Sequence, residues 1–416
     1  LTAFRIAHPP VVADRVNLNR AAFPRPADLA REVAPDLSVN IYTDLAAVES
    51  EWRSFQQTAE CTAFQTFEWL SAWQCHIGAG DRVLPIIAVG RFANGETAFI
   101  APLALEQRRG AKRLRWLGQD LCDYNAPLLA RDFSQRVTSE RFLAIWQELR
   151  RQLQSDPRLR HDWIEFEKMP QTIGVQVNPF IALGVVPNAN SAHITLLGDN
   201  WETFYRAKRS SATRRHDRSK RKHMAEFGEV LFSTVTEPDD VQRTLKTLWQ
   251  QKKQIFARKG IADIFDRRGY REFFADMASN PSTQHLAHVS RIDIGDTCAA
   301  ANFALTFGGC YYHVLASYCD GQLTRFGPGA LHLRELLAHA IGAGLRLFDF
   351  TIGDEHYKLE WSDQCLKLYD YSAAATWRGL PESFASFARR RLKRFIKQSP
   401  LAWRFACRVR SVVRPF

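Results

Sequence analysis

The order of the hydrophobic patterns constrains this 416-residue chain most, because the same order occurs twice. From residue 36, "LSVNIYTD" reads as a strand and "LAAVESEWRSFQQTA" as a helix, followed by an aromatic-rich helix, "FQTFEWLSAWQCHI". "RVLPIIAVGR" and "TAFIAPLALEQ" flank Asn94-Gly95, residue types that favour a two-residue hairpin turn. "RLRWLG" reads as a strand, the spacing predicts a helix over 138–153, and "DWIEFEKM" ends this half as a strand. The second half opens on "WETFYRAKRSSATRRHDRSKRKHMAEFG", helical with a very basic face. A strand "EVLFSTVT" and a helix closed by Gly260 follow, then three strands that turn at Gly295-Asp296 and Gly308-Gly309. "GPGALHLRELLAHAIGAG" is a loop and helix, "LRLFDFTIG" a strand, and "LKLYDYSAAATW" closes the sheet. Hairpin strands, helix, strand, met twice, fit two copies of one unit in a mixed-sheet α/β (α+β) protein. The expected divisions are a loose Pro-rich arm over 1–35, domains over 36–190 and 191–378, and a basic tail over 379–416.

Charge narrows the function classes. Of the formal net charge of +12, residues 206–223 hold nine Lys/Arg against one Asp, and residues 379–416 hold ten against one Glu. What remains is mildly acidic, so the chain is an ordinary globular protein with two basic patches. The eight cysteines are scattered without a CxxC pair, which points to free thiols. The twelve histidines show no HExxH spacing, so no metal is expected. No run of 18 apolar residues marks a membrane span, and the first residues lack a signal peptide's apolar core. The expectation is a cytoplasmic protein.

Two stretches could carry chemistry. In "TRFGPGALHLRELL", Gly327 and Gly329 allow close backbone approach at a helix start. There the amides of Gly329, Ala330 and Leu331, with Arg325 beside them, suit a phosphate. A plain turn before a packing helix is the alternative. In "FDFTIGDEHYKLEW", Phe348, Phe350 and Ile352 alternate with Asp349 and Thr351 as in a buried strand, and ionisable side chains crowd its end. Ligands gather beyond strand C-termini in α/β sheets. Asp354 and Glu355 could accept a proton or hold an amine, Tyr357 could donate one, and Lys358 could stabilise an oxyanion. A solvated loop with an Asp–Lys pair is the alternative.

The stretch "GPGALHLRELLAHAIGAGLRLFDFTIGDEHYK" closely resembles the signature of the CelD/BcsL-type acetyltransferases of cellulose and exopolysaccharide biosynthesis. These are GNAT-superfamily proteins related to the FemAB peptidyltransferases. The matching positions are Pro328-Gly329, Gly344, Asp349-Phe350, Gly353-Asp354-Glu355 and Tyr357-Lys358. "FQTFEWLSAW", "APLAL" and "LGQDLCDYNAPLL" resemble that family's first half, and the likeness runs over roughly residues 38–378. One departure is visible: where GNAT proteins usually carry Gln or Arg at the start of the pyrophosphate loop, Thr324 stands here and Arg325 is one place late.

The resemblance implies two GNAT-like domains in tandem and transfer of an acyl group from acetyl-CoA or a longer acyl-CoA to an amine or hydroxyl. The acceptor it implies is a sugar or lipid-linked precursor. Tyr357-Lys358 matches the aromatic-Lys pair of the Fem proteins, which puts Lys358 near the acyl carbonyl. Glu355, Asp349 or His313 would take the acceptor's proton, and "DYNAP", with Asp123, Tyr124 and Asn125, would shape the acceptor pocket. Alternatives are a Fem-like transferase using aminoacyl-tRNA and a non-catalytic scaffold of a polysaccharide synthesis complex. The basic helix leaves an acyl carrier protein open as donor. The tail places Phe384, Phe387, Leu392 and Phe395 at helical spacing among Arg and Lys. That suits inner-membrane surface contact through residues 384–413, favoured over packing on the body and over nucleic acid.

Overall fold

A computed structural model describes residues 37–108 and 110–398. The expected arm over 1–35 and the tail beyond 398 lie outside the described residues. The first half runs β1 (Leu37–Tyr42), α1 (Glu49–Gln56), α2 (Phe67–Trp73), β2 (Leu84–Phe92), β3 (Thr97–Arg108) and β4 (Ala111–Trp116). A short β5 (Leu128–Leu129), α3 (Phe133–Arg136), α4 (Ser139–Ser155) and β6 (Trp163–Pro170) follow. Next come a small ribbon of β7 (Thr172–Ile173) and β8 (Gln176–Val177), and then β9 (Val186–Leu196). The second half runs α5 (Trp201–Lys208), α6 (Ser211–Ala225), β10 (Val230–Val235), α7 (Pro238–Arg258) and α8 (Tyr270–Ser279). It continues with β11 (Ala287–Ile294), β12 (Thr297–Phe307), β13 (Cys310–Tyr318), α9 (Pro328–Gly342), β14 (Leu347–Ile352) and α10 (His356–Trp361). β15 (Gln364–Ala374) and α11 (Leu380–Gln398) end the described chain.

Local chemistry sets these boundaries. Gly95 takes φ +85° in the predicted hairpin, and the Asn94 side chain accepts from the amide of Glu96 at 3.1 Å. The basic segment expected as one helix is two: Arg209 is extended, and Ser210 restarts the helix by accepting from the amide of Thr213 at 3.1 Å. A serine that can cap competes with helix continuation, which is why the chain breaks there.

All strands but β7 and β8 join one sheet. Its order is β1-β2-β3-β4-β6-β15-β9-β14-β13-β12-β11-β10, with β5 on β3. The repeat is explicit in this order. β1 to β4 form an antiparallel meander, α4 crosses over, and β6 returns parallel to β4. β10 to β13 form the same meander, α9 crosses over, and β14 returns parallel to β13. The strand that follows each unit is exchanged: β9 pairs with β14, and β15 pairs with β6. β9 and β15 then pair with each other, and the expected boundary at 190/191 falls inside β9.

Alternate residues of each strand feed cores on opposite faces. Ile87 and Val89 share a core with Trp52, Trp69, Trp73, Leu248 and Phe273, so α1, α2, α7 and α8 cover one face. Ile86 and Ala88 pack with Trp146 and Leu149 of α4 on the other. Phe348 and Phe350 pack with Leu333, Leu336 and Leu337 of α9. Trp69 meets Phe273 edge-on at 4.7 Å, locking α2 of one half to α8 of the other.

Candidate functional site

β13 and β14 pair only from Cys310↔Leu347 to Tyr312↔Asp349. Beyond that point β14 stays with β9 while β13 runs on along β12 to Tyr318. The pairing of the two parallel strands therefore ends just before His313 and Thr351. Thr351 lies just beyond that point with φ +60°, a strained backbone for a β-branched residue, and its hydroxyl donates to the carbonyl of His313 at 3.3 Å.

With Phe348 and Phe350 turned into the α9 core, Asp349 must point the opposite way. It is 4% exposed, and its Oδ1 accepts two hydrogen bonds, from the hydroxyl of Tyr124 and the amide of Thr351, each at 2.7 Å. Burial pushes this carboxyl up to about 7; the two donors and the Lys358 ammonium pull it down, while Asp123 pushes it up. Tyr124 comes from "DYNAP", so the predicted acceptor loop of the first half and the predicted catalytic strand of the second meet at one hydrogen bond. The loop is anchored: Gln65 donates to the carbonyl of Tyr124 at 2.7 Å, and Asn125 donates to the carbonyl of Glu167 at 3.0 Å. Asn125 is thus turned into the protein and positions the loop.

The ionisable cluster sorts by exposure. Gly353 takes φ +129° and lets the chain enter α10, which buries Lys358 and leaves Glu355, His356 and Tyr357 outside. The Lys358 ammonium donates to the carbonyl of Ile352 at 2.8 Å and pairs with Glu355 at 3.2 Å. Asp354 accepts from the amide of Ser191 at 3.2 Å and lies 3.5 Å from His193 Nε2, tying the cluster to β9. Although the Tyr357 side chain is 37% exposed, the partial desolvation of its phenol and the Glu355 charge raise it, so it stays a neutral donor. His313 is buried against Phe348, and burial, with the Lys358 and Lys252 charges, pushes its imidazole down to about 3.

Two further groups that the sequence reading missed, Lys168 and Lys252, converge here with the predicted Asp123. Lys168 carries φ +56° in β6, and its ammonium donates to the carbonyl of Cys122. Burial raises the carboxyl of half-buried Asp123, against the pull of Lys168, Lys358 and the Thr351 hydroxyl. Lys252 of α7 is pushed down to about 8, by burial and then by Lys259, with Lys358 acting the same way and Glu355 opposing. Periodicity could not flag Lys168 or Thr351, because neither residue type signals a left-handed backbone. Lys252 lies in "QQKKQ", where nothing distinguishes a half-buried lysine from its solvated neighbour Lys253.

The predicted phosphate loop sits at the far end of β13. Gly327 takes φ +73°, and Pro328 is the first residue of α9. One correction applies: Ala330 and Leu331 both donate to the carbonyl of Gly327, at 3.0 and 3.1 Å, because the left-handed glycine folds it over the first turn. Among the described residues, only Gly329 of the three expected donors has an amide without a partner. A Cβ at Gly329 would lie 3.2 Å from Cδ1 of Tyr318, so this glycine also lets α9 approach β13 closely. Arg325 is exposed and lies over Phe326 at 4.7 Å. Helix α6 flanks the loop: His223 stacks on Phe326 at 5.7 Å, and Arg334 of α9 pairs with Asp217 at 2.7 Å. Arg215, Arg218 and Lys222 remain exposed beside it. A backbone donor, two glycines and surrounding positive charge fit an acidic, phosphate-bearing donor. Among the described residues no group of His, Cys, Asp or Glu could hold a metal ion.

Residues 211–359, from the start of α6 into α10, match the model of a family described as Acetyltransferase (GNAT) domain. No curated protein matches the chain. Among solved structures, FemX is 11% identical and superposes over 80% of this chain and 97% of that one, with a TM-score of 0.55. A conserved protein of unknown function from Bacteroides thetaiotaomicron VPI-5482 is 12% identical over 81% of this chain and all of that one, with a TM-score of 0.53. These two likenesses carry the fold, and the family match carries the chemistry. The second half thus holds a GNAT acetyltransferase domain, which makes the chain an acyltransferase and implies an acyl-CoA co-substrate.

Proposed function

We propose that the chain moves an acetyl or longer acyl group from acyl-CoA, in one direct step, to an amine or hydroxyl of a sugar or lipid-linked precursor used in polysaccharide or cell-envelope synthesis. The observation that carries this reading is the Tyr124–Asp349 contact at the parting of β13 and β14. It sets a carboxyl held at about 7 beside a buried ammonium, where residues of both halves meet. A base works best when its pKa lies near the working pH.

In this reading the coenzyme phosphates lie at Gly329 and Arg325, with Gly327 and Ala330 shaping the turn. From Tyr318 to His313 the strand spans roughly 16 Å, a reach suited to an extended pantetheine arm. The thioester carbonyl then stands near Lys358, whose ammonium stabilises the oxyanion. The acceptor enters past Asp123, with Asp354 and Glu355 at the rim. Its nitrogen or oxygen bonds to the carbonyl carbon as Asp349 takes its proton, and the carbon–sulfur bond breaks. Coenzyme A leaves as the thiolate, with Tyr357 as the nearby neutral donor.

A second reading, transfer from aminoacyl-tRNA, rests on the exposed basic face of α6 beside the loop. Calorimetry with coenzyme A and acetyl-CoA separates the two. Micromolar binding by the full chain, weakened at least tenfold in Arg325→Ala and Gly329→Val, is expected. Absence of binding by the unaltered chain overturns the acyl-CoA reading and moves charged tRNA and acyl carrier protein to the front.

A further inference from the structure

Helix α11 is built inside out. A surface helix normally turns its apolar stripe to the core and its charges to water. Here Ser383, Ser386 and Arg390, three and four residues apart, form the inward stripe. Ser386 donates to Glu165. Arg390 donates to Glu165 at 2.9 Å and lies 3.7 Å from Glu167 and 3.8 Å from Asp370. Ser383 faces Ser372 of β15 at 3.3 Å. The strands beneath thus offer carboxylates, and the helix answers them with hydroxyls and a guanidinium. Among its described side chains, the large apolar ones are left outside: Phe384 is 73% exposed, Phe387 43%, Leu392 58% and Phe395 65%, with Trp377 79% exposed just before the helix. These four helix positions fall on one side at 100° per residue.

The charges beside that stripe select its partner. Arg389, Arg391, Lys393 and Arg394 are exposed, and Arg391 lies over the Phe387 ring at 5.2 Å. The one acidic residue of the helix, Glu382, is in its first turn. A second copy of this face would set arginine against arginine. Residues 399–416 bring four more arginines and no Asp or Glu, so their side chains offer this surface no counter-charge. An apolar stripe flanked by cations fits a bilayer carrying negative headgroups, with rings in the acyl boundary and guanidinium groups at the phosphates.

We propose that α11 seats the protein on an anionic lipid surface through the Phe384, Phe387, Leu392 and Phe395 stripe. The seat adjoins the candidate site: Asp370, beside Arg390, also accepts from the amide of Lys168 at 2.9 Å, and the Lys168 side chain holds the loop before Asp123. Docking there brings the candidate site near substrates that live in or on the bilayer.

Co-sedimentation of the full chain with vesicles tests this, comparing phosphatidylcholine alone with equal parts phosphatidylcholine and phosphatidylglycerol. Binding is expected only to the anionic vesicles, and added salt weakens it. Phe384→Ser with Phe395→Ser, and separately Lys393→Glu with Arg394→Glu, each weaken binding on the order of tenfold or more. All four side chains are exposed, so urea midpoints stay unchanged and folding is not the cause. The proposal is overturned if the full chain ignores anionic vesicles or if the variants bind as the unaltered chain does. It is also overturned if the stripe instead drives a lipid-independent dimer in sedimentation equilibrium.

Discussion

Substituting Asp349 by asparagine isolates the ionisation of one carboxyl at almost constant geometry. Both hydrogen bonds to this side chain end on Oδ1, from Tyr124 and Thr351, and the amide oxygen of asparagine can accept both. What asparagine loses is the proton equilibrium. The carboxyl stands at about 7 in the fold against 3.8 unperturbed. Below about pH 3 it is protonated in both states and costs nothing. Between 4 and 7 the unfolded chain ionises it and the folded chain does not, so stability drains away as pH rises. By pH 7 the loss is about 4 kcal/mol. Asp349→Asn removes that loss. It should match the unaltered protein near pH 3 and exceed its unfolding free energy by about 4 kcal/mol at pH 8, with acyl transfer abolished. Urea unfolding at matched m-values across that range is the assay. A gap that stays constant with pH, or a variant weaker at every pH, refutes the argument that burial holds this carboxyl protonated.

Lys358→Met keeps the buried chain length and removes the ammonium. Acyl transfer should fall at least about 100-fold with coenzyme A affinity unchanged by calorimetry; loss of affinity would show instead that Lys358 supports the donor site. His288, His313 and His332 are each pushed down to about 3 by burial. Their contribution is whole above pH 6.5 and is lost as pH falls, at about 1.4 kcal/mol per histidine per pH unit. In the Asp349→Asn background, where the opposing carboxyl is silent, urea midpoints should drop steeply from pH 6.5 to 5. A flat profile would mean that these rings take up protons in the fold.

How much of this was legible in the sequence depends on the range of the interaction. The alternation in "FDFTIG" correctly sent Phe348 and Phe350 to one face and Asp349 to the other, because a strand's period is local. The hairpin at Asn94-Gly95 and the turns at Gly295 and Gly308 were legible for the same reason, each with its glycine at positive φ. Helix α10 was not, since six residues are too few to show a period. Strand β9 was hidden in "VPNANSAHITL", where proline and asparagine mask a strand. The break at Ser210 had a signal in "RSSATRR", a capping serine that the flanking charges obscured. The inversion of α11 was out of reach: its helical spacing is visible, but which face turns inward is decided by Glu165 and Asp370, more than ten residues away in sequence. The meeting of Tyr124 with Asp349 spans 225 positions, and only the sheet order brings them together.

The exchange of β9 and β15 bears on how such a molecule could arise and be taken apart. Two identical single-unit chains that traded their last strands would make a two-fold dimer, each lending an edge to the other. Joining the end of one to the start of the next would preserve that arrangement in a single polypeptide. Severing the loop between Leu196 and Trp201 should then not yield two independent proteins. Each fragment would carry a strand whose partners lie in the other, so the pieces are obligate complements that regain a structure together and aggregate apart.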